Sequence, residues 1–310
     1  DLAPGRVAFR TGQRRRHPGW MIRFLEHRIG DRRILRLILK WLKAGVMEDG
    51  KRVPATKGTP QGAVISPLLA NVYLHYVFDL WAHQWRNRHA HGDVAIIRYA
   101  DDTVVAFEHR ADAERFLADL DERMAEFALT LHPDKTRLTE FGRRAAADRT
   151  ARGLGKPETF DFLGFTHICG KSRKSGGFQL RRKSRRKRMR AKLAEIKEEL
   201  RRRRHVAVAE QGKWLGQVVR GFFAYHAVPL NYASLSAFRH HVIDRWRRSL
   251  KRRSQKDRTT WKRIARLADR YLPRARITHP WPNQRFLAKH PRWEPYARIG
   301  PVRFCAGGGQ

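Results

Sequence analysis

The chain has 310 residues, with 67 Lys and Arg against 29 Asp and Glu, a formal net charge of +38. A charge of that size speaks of polyanionic partners and not of fold, and with 41% hydrophobic residues, nine Trp and sixteen Phe the chain is no mere polycation, because such rings need cores or stacking partners. Two distant cysteines, Cys169 and Cys305, exclude a disulfide framework and a four-cysteine zinc site, and no apolar run reaches the length of a membrane span.

Residues 1–18 show neither helical nor strand periodicity and read as irregular. Met21, Phe24, Leu25 and Ile29, then Ile34, Leu35, Ile38, Leu39 and Leu42, predict two amphipathic helices broken at Gly30-Asp31. Residues 50–62 read as a loop. A long helix follows over Pro67–Trp85, with Ser66 as its N-cap and Pro67 in its first turn. Val94, Ile96, Ile97 and Tyr99 then lead into Ala100-Asp101-Asp102, and Thr103 to Phe107 lead out, which predicts two strands around a tight turn. Residues 112–128 carry a helical pattern, and residues 129–131, 136–141 and 160–167 read as short strands.

Around residues 170–177 the composition shifts from acidic to basic, at a glycine-containing turn that marks a candidate domain boundary. Beyond it, residues 178–204 read as a very basic helix, 212–226 as an apolar helix, and 231–250 and 259–270 as two more. From Leu272 the chain is proline-rich and reads as loops. The expected fold class is α+β: a layer of antiparallel strands and helices over residues 19–170, an all-helical region over 171–270, and a basic tail over 271–310.

Several of these segments carry chemistry. Adjacent carboxylates at a rigid strand end, Asp101 and Asp102, offer the hard oxygen ligands that Mg²⁺ prefers, and their like charges are costly without a cation. Gly58 to Gly62 precede a helix start, where backbone can approach a phosphate closely. Arg181, Arg182, Lys183, Arg185, Arg186, Lys187, Arg188 and Arg190 crowd ten positions, an unfavourable density unless a polyanion is near. Binding to an RNA backbone, with strong salt dependence, is the functional reading. A second basic face holds Arg239, Arg245, Arg247, Arg248, Lys251, Arg252 and Arg253 around Trp246, and suits recognition of structured RNA by shape and phosphate contact. Trp214, Phe222, Phe223, Tyr225 and Trp246 recur at helical spacing and read chiefly as core.

Four segments in order carry a family resemblance. Arg98-Tyr99-Ala100-Asp101-Asp102-Thr103 resembles the polymerase box of reverse transcriptases. Gly58 through Asn71, Leu131 through Thr136 and Phe160 through Phe165 are similar to the nucleotide-facing, lysine-bearing and primer-grip segments of the group II intron branch. Arg220 to His226 and Leu235 to Lys262 resemble its thumb and maturase-specific region. The resemblance implies a polymerase palm followed by a thumb, and two-Mg²⁺ nucleotidyl transfer. Asp101 and Asp102 would hold metal and Tyr99 would shape the floor of the site. Pro60, Gln61 and Gly62 would face nucleotide or template, Lys135 the leaving pyrophosphate, and Leu163 and Gly164 the primer. The implied partners are group II intron RNA, a DNA target or primer, and dNTPs, with intron splicing assistance alongside RNA-directed DNA synthesis. A reducing cytosolic or nucleoid location goes with that set.

One departure stands out. The family carries a further Asp on a strand preceding the region that starts near His17, yet no acidic residue lies between Asp1 and Glu26. The expectation is a truncated or frameshifted member, lacking fingers, that binds Mg²⁺ poorly. Its alternative function is that of a non-catalytic maturase remnant that binds its intron RNA.

Overall fold

The structure is a computed structural model that describes residues 6–12, 18–43, 46–48, 51–53, 65–254, 259–282 and 284. The fold is α+β, as the sequence predicts, and divides into two compact units, Asp1–Glu158 and Thr159–Gln310.

The first unit is built on β1 (Arg6–Gly12), β4 (Val94–Tyr99), β5 (Asp102–Phe107), β6 (Thr130–Leu131) and β7 (Arg137–Thr139), with a small separate hairpin of β2 (Val46–Glu48) and β3 (Lys51–Val53). The irregular reading of residues 1–18 is corrected over β1, which pairs antiparallel with β5 on one side and with β6 and β7 on the other. Seven residues are too few for periodicity to declare a strand beside Pro4-Gly5 and the arginine run. The ladder offered by β5 decides the conformation instead, a tertiary override of local propensity.

Helices α1 (Pro18–Glu26), α2 (Arg32–Lys43), α3 (Ser66–Leu74), α4 (Leu80–His89) and α5 (Arg110–Glu126) surround an apolar core that includes Phe24, Tyr73, Phe78, Trp85, Val105, Phe107, Phe116 and Met124. Between α3 and α4 the backbone makes one π-helical turn, His75–Asp79, so the single predicted helix is three joined pieces. It begins at Ser66, with Ile65 in the N-cap position, and Pro67 sits in the first turn where its missing N–H is harmless. The sequence reading missed α6 (Arg143–Ala151), an Ala-rich helix that buries only Ala145 and so shows no apolar stripe.

The second unit opens with a three-stranded antiparallel meander of β8 (Phe160–Phe162), β9 (Phe165–Lys171) and β10 (Phe178–Ser184). This corrects two expectations. Residues 178–184 form a strand, and the basic helix α7 starts only at Arg186 and runs to Arg202. The glycine-containing turn at 172–177 is the β9–β10 hairpin loop, so the division of the chain falls before β8. Helices α8 (Val208–His226), α9 (Tyr232–Lys251) and α10 (Trp261–Tyr271) complete the unit.

Leu193, Ile196, Leu215, Val219, Phe238, Val242, Trp246 and Ile264 form its core, separate from that of the first unit. Trp246 is fully buried, and its indole N–H donates to Gln211 Oε1 at 3.0 Å. A buried polar knot ties β10 to the α8–α9 connection. Asn231 donates to Ser184 Oγ (2.9 Å) and to the His226 carbonyl (2.8 Å) and accepts the Ser184 N–H (3.0 Å). Ser184 Oγ lies 3.1 Å from His226 Nδ1. Each of these three side chains is removed from water but bonded, which offsets its desolvation.

Candidate active site and nucleic-acid interface

The β4–β5 hairpin brings Tyr99 and Asp102 into direct register across a two-residue turn of Ala100 and Asp101. Ala100 adopts φ 53°, in the left-handed region that disfavours a Cβ. Such a turn needs a restraint, and Arg98 supplies it. Its Nε and Nη2 grip the two Asp79 oxygens at 2.6 and 2.5 Å, while Nη1 donates to Asn71 Oδ1 at 2.9 Å and to the Ala100 carbonyl at 3.0 Å. The fork of one guanidinium therefore joins the turn, α3 and the end of the π-helical turn. His75 Nδ1 lies 3.5 Å from the same Asp79 carboxylate. Single-turn π segments occur often at functional sites.

The sequence reading missed this network, although Asn71, His75 and Asp79 stand at i, i+4, i+8 and so form a polar stripe along one side of an apolar helix. Replacing Arg98 by alanine is expected to destabilise the first unit by about 2 kcal/mol, the usual scale for charge-assisted bonds to a part-buried carboxylate. Arg98→Lys keeps the charge but not the fork and recovers only part of that. Thermal melts of the three proteins, with amide exchange at residues 99–102, measure the effect; an unchanged melt and unchanged exchange would dismiss the clamp.

Asp101 and Asp102 are the carboxylates of the hairpin. The neighbouring strand β1 brings none, and the Cα partner of Asp102 on β1 is Arg10. Among the described residues no group of three His, Cys, Asp or Glu stands ready to hold a metal. Lys135 is exposed in a turn whose backbone N–H donates to His132 O at 3.1 Å. Pro60, Gln61 and Gly62 lie outside the described residues.

In the second unit, Leu163 and Gly164 form the tight β8–β9 turn, both with positive φ (47° and 78°). The Tyr225 hydroxyl donates to the Leu163 carbonyl at 2.7 Å, and its ring stacks on Phe165 with centroids 5.6 Å apart. The Arg185 N–H donates to the Gly164 carbonyl at 2.9 Å. A Cβ at Gly164 would meet Arg188 Nη1 at 2.6 Å, so the basic start of α7 closes directly over this turn.

The cations singled out by the sequence do not share one fate. Arg185 pairs with Asp161 (2.7 Å), Arg181 donates to the Lys171 carbonyl (2.6 Å), Arg245 to the Leu193 carbonyl (3.1 Å), and Arg248 pairs with Asp244 (2.8 Å). Burial holds the Arg182 guanidinium below its ordinary pKa. Lys183, Arg186, Lys187, Arg188, Arg190 and Arg252 are exposed. Arg186, Lys187 and Arg190 form no ion pair among the described residues, and the first turn of α7 holds no acid.

Residues 20–167 match the family model "Reverse transcriptase (RNA-dependent DNA polymerase)". The group II intron-encoded protein LtrA of Lactococcus lactis subsp. cremoris is 46% identical over 55 residues, 18% of this chain and 9% of that protein. Protein YkfC of Escherichia coli (strain K12) is 33% identical over 115 residues, 29% of this chain and 30% of that protein. The chain thus matches less than a third of either relative's length. A truncated apo telomerase from Candida tropicalis superposes with a TM-score of 0.41 at 12% identity, covering 59% of this chain and 36% of that one. No helix among the described residues is long and apolar enough to cross a membrane. Residues 20–167 thus match a reverse transcriptase domain, and part of the chain is similar to a group II intron-encoded protein.

Proposed function

We propose that this chain binds group II intron RNA in a maturase role, aiding its folding and splicing, with little or no polymerase activity. One observation carries the reading: exposed cations with no ion pair among the described residues gather at the start of α7, beside the Leu163-Gly164 turn, while the polymerase hairpin gains no third carboxylate from the strand next to it. Reverse transcriptases use divalent metal ions, Mg²⁺ in the usual case, and two-metal transfer needs carboxylates enough to bridge both. Two consecutive carboxylates with an arginine at the paired position on β1 do not fit such a centre, so no catalytic step is derived through Mg²⁺. The reading goes with a bacterial cytosol or nucleoid location.

The second reading, RNA-directed DNA synthesis from a DNA primer and dNTPs, is favoured by the hairpin itself. Tyr99, Asp101 and Asp102 sit on a turn that Arg98 fixes from behind, as a working site would require. Primer extension on an RNA template with Mg²⁺ and dNTPs separates the two, run beside intron RNA binding in the same preparation. The expected result is tight RNA binding and no incorporation above that of Asp101→Ala. Incorporation that disappears in Asp101→Ala would establish the polymerase instead.

A further inference from the structure

Helix α10 meets α9 through a ring that the core does not bury. Trp261, the first residue of α10, is 46% exposed and stands outside the apolar cluster of its unit, one turn before the buried Ile264. Two side chains of α9 hold it instead. The His240 imidazole lies nearly parallel to the indole, with 9° between the planes and 5.8 Å between centroids, and the Arg247 guanidinium sits 4.4 Å from the ring centre. Residues 240 and 247 are two turns apart and so share one side of α9. Asp244, one turn from each, accepts from Arg247 at 3.4 Å and pairs with Arg248 at 2.8 Å, which steadies the guanidinium against the ring. His240 is itself exposed. The next two residues of α10, Lys262 and Arg263, are exposed, form no ion pair among the described residues, and stand in a first turn that carries no acid.

From this arrangement we propose that Trp261 and His240 form a stacking platform for one unpaired base of a folded RNA, with Lys262 and Arg263 contacting the phosphates that flank it. A mere brace between two helices gains most from a side chain taken fully out of water, as Trp246 is. Trp261 instead leaves nearly half of its surface in water, next to a second exposed ring. Exposed aromatic rings set among cations are what a base stacks on, and such stacking tolerates any base because every base has a π-face. Only an unpaired base offers a free face, since neighbours cover both faces inside an A-form helix. Cations in the first turn of α10 oppose the helix dipole, a cost that an anionic backbone beside them offsets. The inference rests on the RNA-binding reading and gives it a second contact, apart from the start of α7.

The test uses the full chain and two RNA duplexes, one fully paired and one with a single bulged 2-aminopurine, whose emission falls when it stacks. Anisotropy of a terminal dye across a KCl series reads binding, and 2-aminopurine emission reads stacking. Wild-type protein is expected to bind the bulged RNA more tightly than the paired one and to quench its 2-aminopurine. Trp261→Ala is expected to abolish the quenching and to weaken binding to the bulged RNA on the order of tenfold, the scale of one lost base–aromatic contact. Its salt slope stays unchanged and the paired RNA binds as before. Trp261→Phe keeps the quenching. Lys262→Gln keeps it too, but lowers the slope of log K against log salt by roughly 0.7 to 0.9, the value of one phosphate contact. If Trp261→Ala lowers the melting temperature, Trp261→Leu takes its place, because leucine packs without offering a ring face. Quenching that survives loss of the ring, an equal loss of affinity for both RNAs, or a bulged base that wild-type protein does not quench overturns the inference while leaving the RNA-binding reading standing. Absence of binding to either RNA by wild-type protein at any salt overturns both.

Discussion

Replacing Arg186, Lys187 and Arg190 together by alanine is expected to weaken RNA binding by roughly two to three powers of ten at 0.1 M salt. Each phosphate contact adds about 0.7 to 0.9 to the salt slope, close to one power of ten in affinity at that concentration. The three side chains extend from the start of α7, where Arg185 is the N-cap without a capping bond and the first turn carries no acid. Cations there oppose the helix dipole and repel one another, so they weaken the helix that bears them. Removing them therefore leaves the melting temperature unchanged or higher while binding falls. The opposite signs separate a binding role from a structural one. Fluorescence anisotropy across a KCl series, paired with thermal melts, reads both quantities. A loss of affinity below tenfold, or one that tracks a falling melt, would place RNA binding elsewhere.

Acidification from pH 7 to pH 5 is expected to destabilise the second unit by about 2 kcal/mol, within a total of about 3 kcal/mol once the change is complete. Burial pushes the His226 imidazole down to about 4, and the nearby Arg188 guanidinium pushes the same way. In the unfolded chain that imidazole titrates near 6.5. Between those two values the unfolded state takes up a proton that the folded state refuses. Stability is thus fully present above about pH 6.5, declines as the pH falls towards 4, and then levels off. The knot of Ser184, His226 and Asn231 is the part of the fold that keeps this ring neutral. Urea melts at pH 7 and pH 5 measure the difference, and His226→Gln should flatten it. Equal stability of the wild-type protein at the two values would show that the ring accepts its proton inside the fold.

What the sequence disclosed was local. Tyr99-Ala100-Asp101-Asp102 between two β-branched runs reads as a hairpin because turn and strands lie within a dozen or so residues of each other, whereas residues 160–167 read as one strand that the structure breaks at Leu163-Gly164 into β8 and β9. Helices with an apolar stripe, such as α5 and α9, were equally plain. What stayed hidden depends on partners. Strand β1 exists through the ladder of β5, and its own residues show no pattern long enough to announce it. Residues 178–184 look helical by charge alone, yet they pair residue by residue with β9 from Phe178 to Ser184.

The segment from Ser66 to His89 shows a third way to be misled. Its buried residues, Leu69, Tyr73, Leu74, Val77, Phe78, Ala82 and Trp85, drift around an ideal helical wheel of 100° per residue. The wider π-helical turn at His75–Asp79 absorbs part of that drift and brings both halves to one core. Among the residues expected at the site, the hairpin carboxylates and the Leu163-Gly164 turn lie in ordered backbone, while the arginines divide into those that brace the fold and those that face solvent. No residue-type rule foretells that division, because Arg185 and Arg186 differ only in whether Asp161 lies within reach.

The two apolar clusters share no residue, and this bears on how such a protein can change over generations. A substitution in the hairpin leaves the apolar core of the second unit as it was, so selection acting on the basic helix α7 has no grip on the polymerase carboxylates. A lineage that keeps the basic helix under selection can let its polymerase carboxylates drift, one neutral step at a time, without a folding penalty that would purge the carriers. Sequence variation among its descendants should then be denser at Asp101 and Asp102 than around Trp246 and Asn231.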